Sequence, residues 1–265
     1  MEQFIQKLIA LPFNYIIIAL IAFFYIIENF QTTANKATNR LDHLFNNVLC
    51  YLLLIGASYC VALLQVYSVN WINSHYIGLL NQFNIPFGAK IVLGVFCIDF
   101  TLYWSHRLSH RSALLWRLHR VHHSDTHLDA STYFRHHPLD VFVGATWVIV
   151  ATAVFGIDTI TLGFYYIILT PCMIAQHTNV SFPKAIDSIL GKLIVTPNFH
   201  KLHHAQEQFY TDSNFADIFI IWDRMFGTYK AYPPQPIVYG LKEFDEEKKQ
   251  TFWFLMKSPF IKFDK

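Results

Sequence analysis

The sequence predicts an all-α polytopic membrane protein. It should have about four to five transmembrane or membrane-embedded helices and a helical histidine-rich region on the cytoplasmic face. Three observations carry this. The chain of 265 residues is 54% apolar and only 14% charged, with 25 phenylalanines, whereas an ordinary globular domain is about 25% charged. Several apolar runs match the roughly 17–25 residues a helix needs to cross a hydrocarbon core. Histidines recur at helical spacing in the polar stretches between those runs.

The N-terminus, "MEQFIQKLIALPFNYIIIALIAFF", is longer than the apolar part of a signal peptide, and no small-residue cleavage site follows. Leu11–Ile27 is therefore expected to be a retained span. Val48–Val69 is a second uncharged run. Pro86 and Gly88 break the pattern before a third helix, expected to start near Gly88 and to leave the lipid near Trp104. Lys90 can snorkel at one of its ends. Asp99 lies inside that run, and a carboxylate there is costly without partners. Val141–Ala175 carries one charge, Asp158, and is too long for one span. "FGIDT" supplies a turn within it, so a hairpin of two short helices is expected over 141–175. The polar stretches on either side of the hairpin then face the same membrane surface.

The distribution of basic residues sets the orientation. Lys36 and Arg40 lie in the stretch 31–47, and five arginines lie between Ser105 and Asp140. The stretch 68–89 has no basic residue before Ala89, and the N-terminus has only Lys7. The histidine stretches should thus face the cytoplasm. Residues 1–87 form N-terminal helices and loops, 88–232 a histidine-rich unit, and 233–265 a tail. That tail is either solvated or, through Phe252, Trp253, Phe254 and Leu255, an interfacial helix. The four cysteines sit in apolar runs with no C-x-x-C spacing and read as small buried hydrophobes. A formal charge of +2 with no basic reading helix excludes a nucleic-acid partner.

The chemistry lies in the histidines. His106 and His110 are i, i+4. His119, His122 and His123 are i, i+3, i+4, and His200, His203 and His204 repeat that pattern. Such spacing places each cluster on one helix face. Eight imidazoles exceed the four ligands of one zinc ion and point to two metal ions. Imidazole suits zinc, copper, iron and nickel, so spacing alone leaves the metal open. His43 and His75, standing alone, read as ordinary satisfied residues. No H-E-x-x-H is present, which excludes the usual zinc-protease arrangement.

The ordered motifs "DFTLYWSHRLSH", "HRVHH", "RHHPLD", "QHTN", "TPNFHKLHH" and "DSNFADIFIIWDRMFGTY" resemble the fatty acid hydroxylase superfamily, which includes sterol desaturases and alkylglycerol monooxygenase. The resemblance covers roughly residues 90–240. It implies a membrane di-iron oxygenase that uses O2 and external electrons to hydroxylate or desaturate a sterol, fatty acyl or ether lipid. The two iron ions, replaceable by zinc on expression, would be held by His106, His110, His119, His122, His123, His177, His200, His203 and His204. Ser181 stands where some relatives have a further histidine, so a tenth ligand falls to water, Asn179 or His137; His136 and His127 rank below them. The electron donor would be a ferredoxin, a cytochrome or a pterin such as tetrahydrobiopterin, since no H-P-G-G haem motif is present. The membrane would be a bacterial inner membrane or the endoplasmic reticulum.

Metal-bound imidazoles usually donate their outer N–H to a carboxylate or carbonyl. Asp99, seven residues before His106, and Asp223 are the expected acceptors. Asp212 and Asn214, which follow the last cluster, either accept from an imidazole or cap a helix. The rival reading is a polytopic metal-binding or metal-transport protein without redox catalysis. It needs a polar path through the membrane, and the apolar runs offer almost none.

Overall fold

A computed structural model describes residues 13–30, 37, 39–233 and 236–263. Lys7, Lys36 and the first two residues of the Leu11–Ile27 run lie outside the described residues. Helix α1 spans Phe13–Ile27, α2 Arg40–Ser74, α3 Phe87–Arg111, α4 Ala113–His123, α5 Pro138–Phe155 and α6 Thr159–His177. Four of these, α2, α3, α5 and α6, are long and apolar enough to cross a membrane, and α1 is a shorter apolar helix. The second and third helices both run past their apolar cores. Asn39 caps α2 through Asp42, and α3 continues through His106 and His110.

The expected hairpin is α5 and α6. Pro138 occupies the first turn of α5, where its missing N–H has no helical partner to lose. Gly156 ends α5 in the left-handed region at φ 76°. Asp158 then caps α6 by accepting from Thr161 N at 2.7 Å. The turn also packs against the α2–α3 connection. A Cβ on Gly78, itself at φ 102°, would stand 2.1 Å from the Gly156 nitrogen, so position 78 has no room for a side chain, and a Cβ on Gly156 would meet the Asn81 amide at 2.7 Å. At this end Asn73 bonds the Ile157 carbonyl at 2.7 Å.

At the opposite end a buried polar knot ties the early chain to the histidine region. His43 meets Asp125 at 2.9 Å, and Arg135 meets both Asp125 at 3.3 Å and Asn47 at 2.9 Å. Glu28 accepts the backbone N–H groups of Ala130 and Asn179, each at 2.8 Å. Burial alone would raise the Asp125 carboxyl, but Arg135 and His43 outweigh it and hold it far below the ordinary carboxylate range. The lone His43 is thus a satisfied buried residue. His75 is exposed and meets the Trp71 carbonyl at 2.8 Å.

Two expectations are corrected. Only Cys50 is buried, while Cys60 is exposed. In a chain whose surroundings are lipid, an apolar run does not imply an inward side chain. Of the two readings of the tail, full solvation does not hold: Glu246, Lys248 and Trp253 stay exposed, while part of its apolar set turns inward. Residues 242–263 fold back as short helical turns, burying Phe244 and Leu255 with Cys50 of α2 and Val121 of α4. Gln250 anchors the fold-back on Arg135 at 2.8 Å.

Candidate metal centre

The histidines come from four elements that end at one level. His106 and His110 lie in the last turns of α3, and His119, His122 and His123 on α4. His177 closes α6, and His200 and His203 lie on α7 (Pro197–His203), with His204 as its cap. Ser112 separates α3 from α4 and caps α4 through Leu115 N, which turns the second cluster back toward the first. All of these histidines are buried except His106, which is half-buried.

They form two groups. His106, His110, His119, His123 and His203 bring one ring nitrogen each within 4.8 Å of one another, and so do His122, His177, His200 and His204. Each H-x-x-H-H motif is divided between the groups. His119 and His123 join the first and His122 the second; His200 and His204 join the second and His203 the first. A cluster therefore does not aim all its rings one way, as its spacing had suggested. The 100° step per residue turns the i+3 ring toward the neighbouring group. The two groups abut where His123 and His204 stack at 4.5 Å.

The outer nitrogens of six of the nine fix their tautomers, while those of His123, His200 and His204 have no hydrogen-bond partner among the described residues. His106 Nδ1 donates to Phe215 O at 2.8 Å, His203 Nδ1 to Ser213 O at 2.6 Å, His177 Nδ1 to Met173 O at 2.6 Å and His122 Nδ1 to Arg135 O at 3.3 Å. His119 Nδ1 points to Asp140 at 3.1 Å and His110 Nδ1 to Asp212 at 3.3 Å. With the proton on Nδ1, Nε2 carries a lone pair. Those lone pairs converge: His106 and His203 face each other at 2.9 Å, and His122 and His177 at 2.9 Å. The His200 Nε2 lies 3.1 Å from that of His177, its own Nδ1 without a hydrogen-bond partner among the described residues. The Nε2 atoms of His110, His119 and His123 are buried with no hydrogen-bond partner among the described residues. Burial also disfavours the imidazolium form. It holds His122, His123, His200 and His204 well below the ordinary histidine value and takes His203 to about 3. Neutral rings with opposed lone pairs repel unless a cation lies between them, so this donor set fits transition-metal ions.

One loop orients three rings of the first group. Over 212–217 it presents the Asp212 carboxylate to His110, the Ser213 carbonyl to His203 and the Phe215 carbonyl to His106. The expected carboxylate acceptors act one step behind it. Asp99 is fully buried and accepts from Ile218 N, Phe219 N, Trp222 Nε1 and Tyr165 Oη at 2.8–3.2 Å, and from no imidazole. Seven residues of helix rise carry it about 10 Å from His106, so a shared face does not bring contact. Asp223 accepts from Phe215 N, Ala216 N and Thr228 Oγ1. Asn214, in the left-handed region at φ 52°, bonds Phe199 O and both backbone groups of Lys230. Of the four, Asp212 alone meets a ring.

His137 is not in either group. It caps α5 by accepting from Leu139 N at 3.2 Å. Asn179 sits two residues beyond His177 and gives its backbone N–H to Glu28. Three residues near the centre were missed or ranked low: Asp140 and Asp217 escaped sequence reasoning, and His136 stood below the other candidates for a tenth ligand. Asp140 is met by both His119 and His136. His136 stacks on His122 at 4.1 Å and 12°. Asp217 reaches within 3.9 Å of His106 Nδ1. "RHHPLD" holds Asp140 and His136, and the i, i+4 spacing of His136 and Asp140 was the available signal.

An apolar cavity of about 840 Å3 opens onto this centre between α2, α5 and α6. His106, His119, His122, His136, His200, Asp140 and Asp217 line its metal end, and Leu54, Val61, Ala145, Val148 and Ile167 its length. A second cavity, about 1040 Å3, reaches His110 and Asp212 from the other side, past Trp116, Arg117, Arg120 and Lys242.

Membrane-length helices that bury two histidine groups beside an apolar cavity define a membrane histidine-metal protein. The chain belongs to the fatty acid hydroxylase family, whose model matches residues 91–228. This is the superfamily of di-iron, lipid-oxidising membrane proteins, and the clustered histidines are typical of such oxygenases. The chain is 31% identical to human alkylglycerol monooxygenase over 169 residues, 60% of this chain and 35% of that protein. It is 28% identical to the ornithine lipid hydroxylase OlsE of Rhizobium tropici over 171 residues, 57% of this chain and 44% of the relative. It is 29% identical to methylsterol monooxygenase 2-2 of Arabidopsis thaliana over 160 residues, 58% of this chain and 59% of the relative. The match thus spans about a third of the human alkylglycerol monooxygenase. No solved structure matches significantly.

Proposed function

We propose that this protein is an O2-dependent oxygenase that hydroxylates or desaturates a membrane lipid at a pair of iron ions. The first ion would be held by His106, His110, His119, His123 and His203, the second by His122, His177, His200 and His204. The observation that carries this reading is the set of opposed Nε2 lone pairs, buried at the end of an apolar cavity. Bound iron would supply O2 activation and the power to oxidise an unactivated C–H bond. The chain's own residues do the rest. The loop 212–217 and Asp140 hold His106, His110, His119 and His203 in the neutral, Nδ1–H tautomer, and the Arg135 and Met173 carbonyls do the same for His122 and His177. The apolar cavity takes a lipid sideways from the bilayer and keeps water from the reacting end. Relatives act, by their names, on alkylglycerols, an ornithine lipid and methylsterols, which supports a lipid substrate and leaves its headgroup open.

Electrons would come from an external ferredoxin, cytochrome or pterin. The second cavity, with Trp116 4.9 Å from His110 ring to ring, offers an approach to the centre from the side away from the lipid. The arginines of 105–140 favour the cytoplasm for the histidine end, in a bacterial inner membrane or the endoplasmic reticulum. Lipid mass spectrometry of cells grown in air, with the gene, without it, or with His122→Ala, tests the reading. An oxygenated or newly unsaturated lipid is expected with the wild type only. Its equal appearance with His122→Ala would refute the assignment.

A further inference from the structure

The apolar cavity has a polar far end. Gln65 of α2 and Tyr166 of α6 both line it and bond each other, with the Gln65 amide nitrogen 3.2 Å and its oxygen 3.3 Å from the Tyr166 hydroxyl. Tyr166 stands eleven residues before His177 on one helix, which places the pair about 16 Å from the metal end by helix rise. Both residues lie within segments long and apolar enough to cross a membrane. Gln65 is 4% exposed while its neighbours Leu64 and Val66 face outward at 46% and 45%, so the amide is turned inward. Val61, Ala62, Val148 and Ile167 also line the cavity. Among the described residues, no Asp, Glu, Lys or Arg lines it apart from Asp140 and Asp217 at the metal end.

A side-chain amide in hydrocarbon is costly unless its hydrogen bonds are made. The mutual bond leaves a second amide N–H, a carbonyl lone pair and the phenol oxygen with unused capacity, on residues that line the cavity. A methyl terminus placed there would leave that capacity unmet. A phosphate or ammonium headgroup would meet no countercharge. A neutral hydroxyl or carbonyl satisfies it.

We propose that Gln65 and Tyr166 form a recognition site for a neutral hydroxyl or carbonyl group at the end of the lipid remote from the carbon that is oxidised. This deepens the proposed function and rests on it for the direction in which the lipid lies. The substrate class is then a long apolar molecule with an uncharged oxygen function at its far end, and the pair is a specificity determinant that does not touch the reacting atoms.

The test uses the full chain, metal-loaded, in lipid nanodiscs. Binding of two probes of equal length, cetyl alcohol and hexadecane, is measured above the partition into empty discs. The wild type should hold the alcohol about five- to tenfold more tightly, the worth of one net hydrogen bond. Tyr166→Phe and Gln65→Met should each bring that ratio toward one, with thermal midpoints close to wild type. His122→Ala should keep the ratio while losing product. A ratio near one in the wild type, or a ratio unchanged in both Gln65→Met and Tyr166→Phe, overturns the proposal and leaves the pair as a bridge between α2 and α6. Wild-type cells that form no oxidised lipid while the purified protein keeps the ratio would sink the proposed oxygenase and support the binding site. Product formed by a protein with a ratio of one would sink the site alone.

Discussion

The Nε2 atoms of His106 and His203 face each other at 2.9 Å while both Nδ1 atoms donate to carbonyl oxygens of the same loop, at Phe215 and Ser213. Neither ring can offer a proton to the other, so the pair is stable only around a cation. Folding and metal binding are therefore linked here. The protein should carry two metal ions per chain by elemental analysis. His203→Ala should reduce the first site and His200→Ala the second, each leaving about one ion. Chelation should lower the thermal midpoint, because N-selective binding stabilises by mass action. Wild type with one ion per chain, or a midpoint indifferent to chelator, contradicts this.

Asp140 receives both His119 and His136, at 3.1 and 3.4 Å. Asp140→Asn removes the charge that fixes the His119 tautomer. Loss of such a partner typically weakens metal affinity about 10–100-fold. Competition with a chelator of known affinity should read that loss at the first site, with the second less affected. Equal retention of both ions would remove Asp140 from this role.

Asp99 gathers four donors of the 165–222 region and no imidazole. Asp99→Leu should act on folding, since each buried donor left unpaired costs about 1–3 kcal/mol. Poor yield or a strongly lowered midpoint is expected. Any Asp99→Asn protein that folds should still bind two metals. An Asp99→Asn protein that is stable yet short of one ion would restore Asp99 as a direct partner of the centre.

Two glycines separate packing from function. A Cβ at Gly78 meets the Gly156 backbone, whereas a Cβ at Gly144, which lines the apolar cavity, meets nothing within 4 Å. Gly78→Ala should destabilise by about 1–3 kcal/mol or more through overpacking at an unfavourable φ. Gly144→Leu should leave the midpoint and metal content near wild type while reducing lipid oxidation through lost cavity volume. Full oxidation by Gly144→Leu would place the substrate elsewhere.

The helices were legible because their causes are local. Uncharged runs marked the membrane-length segments, and Gly156 with Asp158 marked the α5–α6 turn. Eight of the site histidines were legible because i, i+3 and i+4 spacing is visible along the chain, while the isolated His177 was legible only through the family resemblance. Their outer partners were harder to read. A carboxylate on the right helix face, Asp99, proved too far along the axis; Asp212 does meet His110, but other acceptors are backbone carbonyls, such as those of Ser213 and Phe215, which no sequence motif distinguishes. The tail of residues 242–263, left open between solvation and an interfacial helix, was legible only in part. Its charges suggested solvation, but Phe244 and Leu255 pack inward against α2 and α4.

The sequence by itself determined which segments are helical and which imidazoles are available, since both follow from neighbours within one or two turns. The tertiary structure decided how each H-x-x-H-H motif divides between two groups, which carbonyls fix the tautomers, and where a cavity with Gln65 and Tyr166 at its far end meets the histidines. Those relations join residues a hundred positions apart, as His106 is joined to Phe215. Their distances are set by the packing of whole helices, which no local pattern encodes.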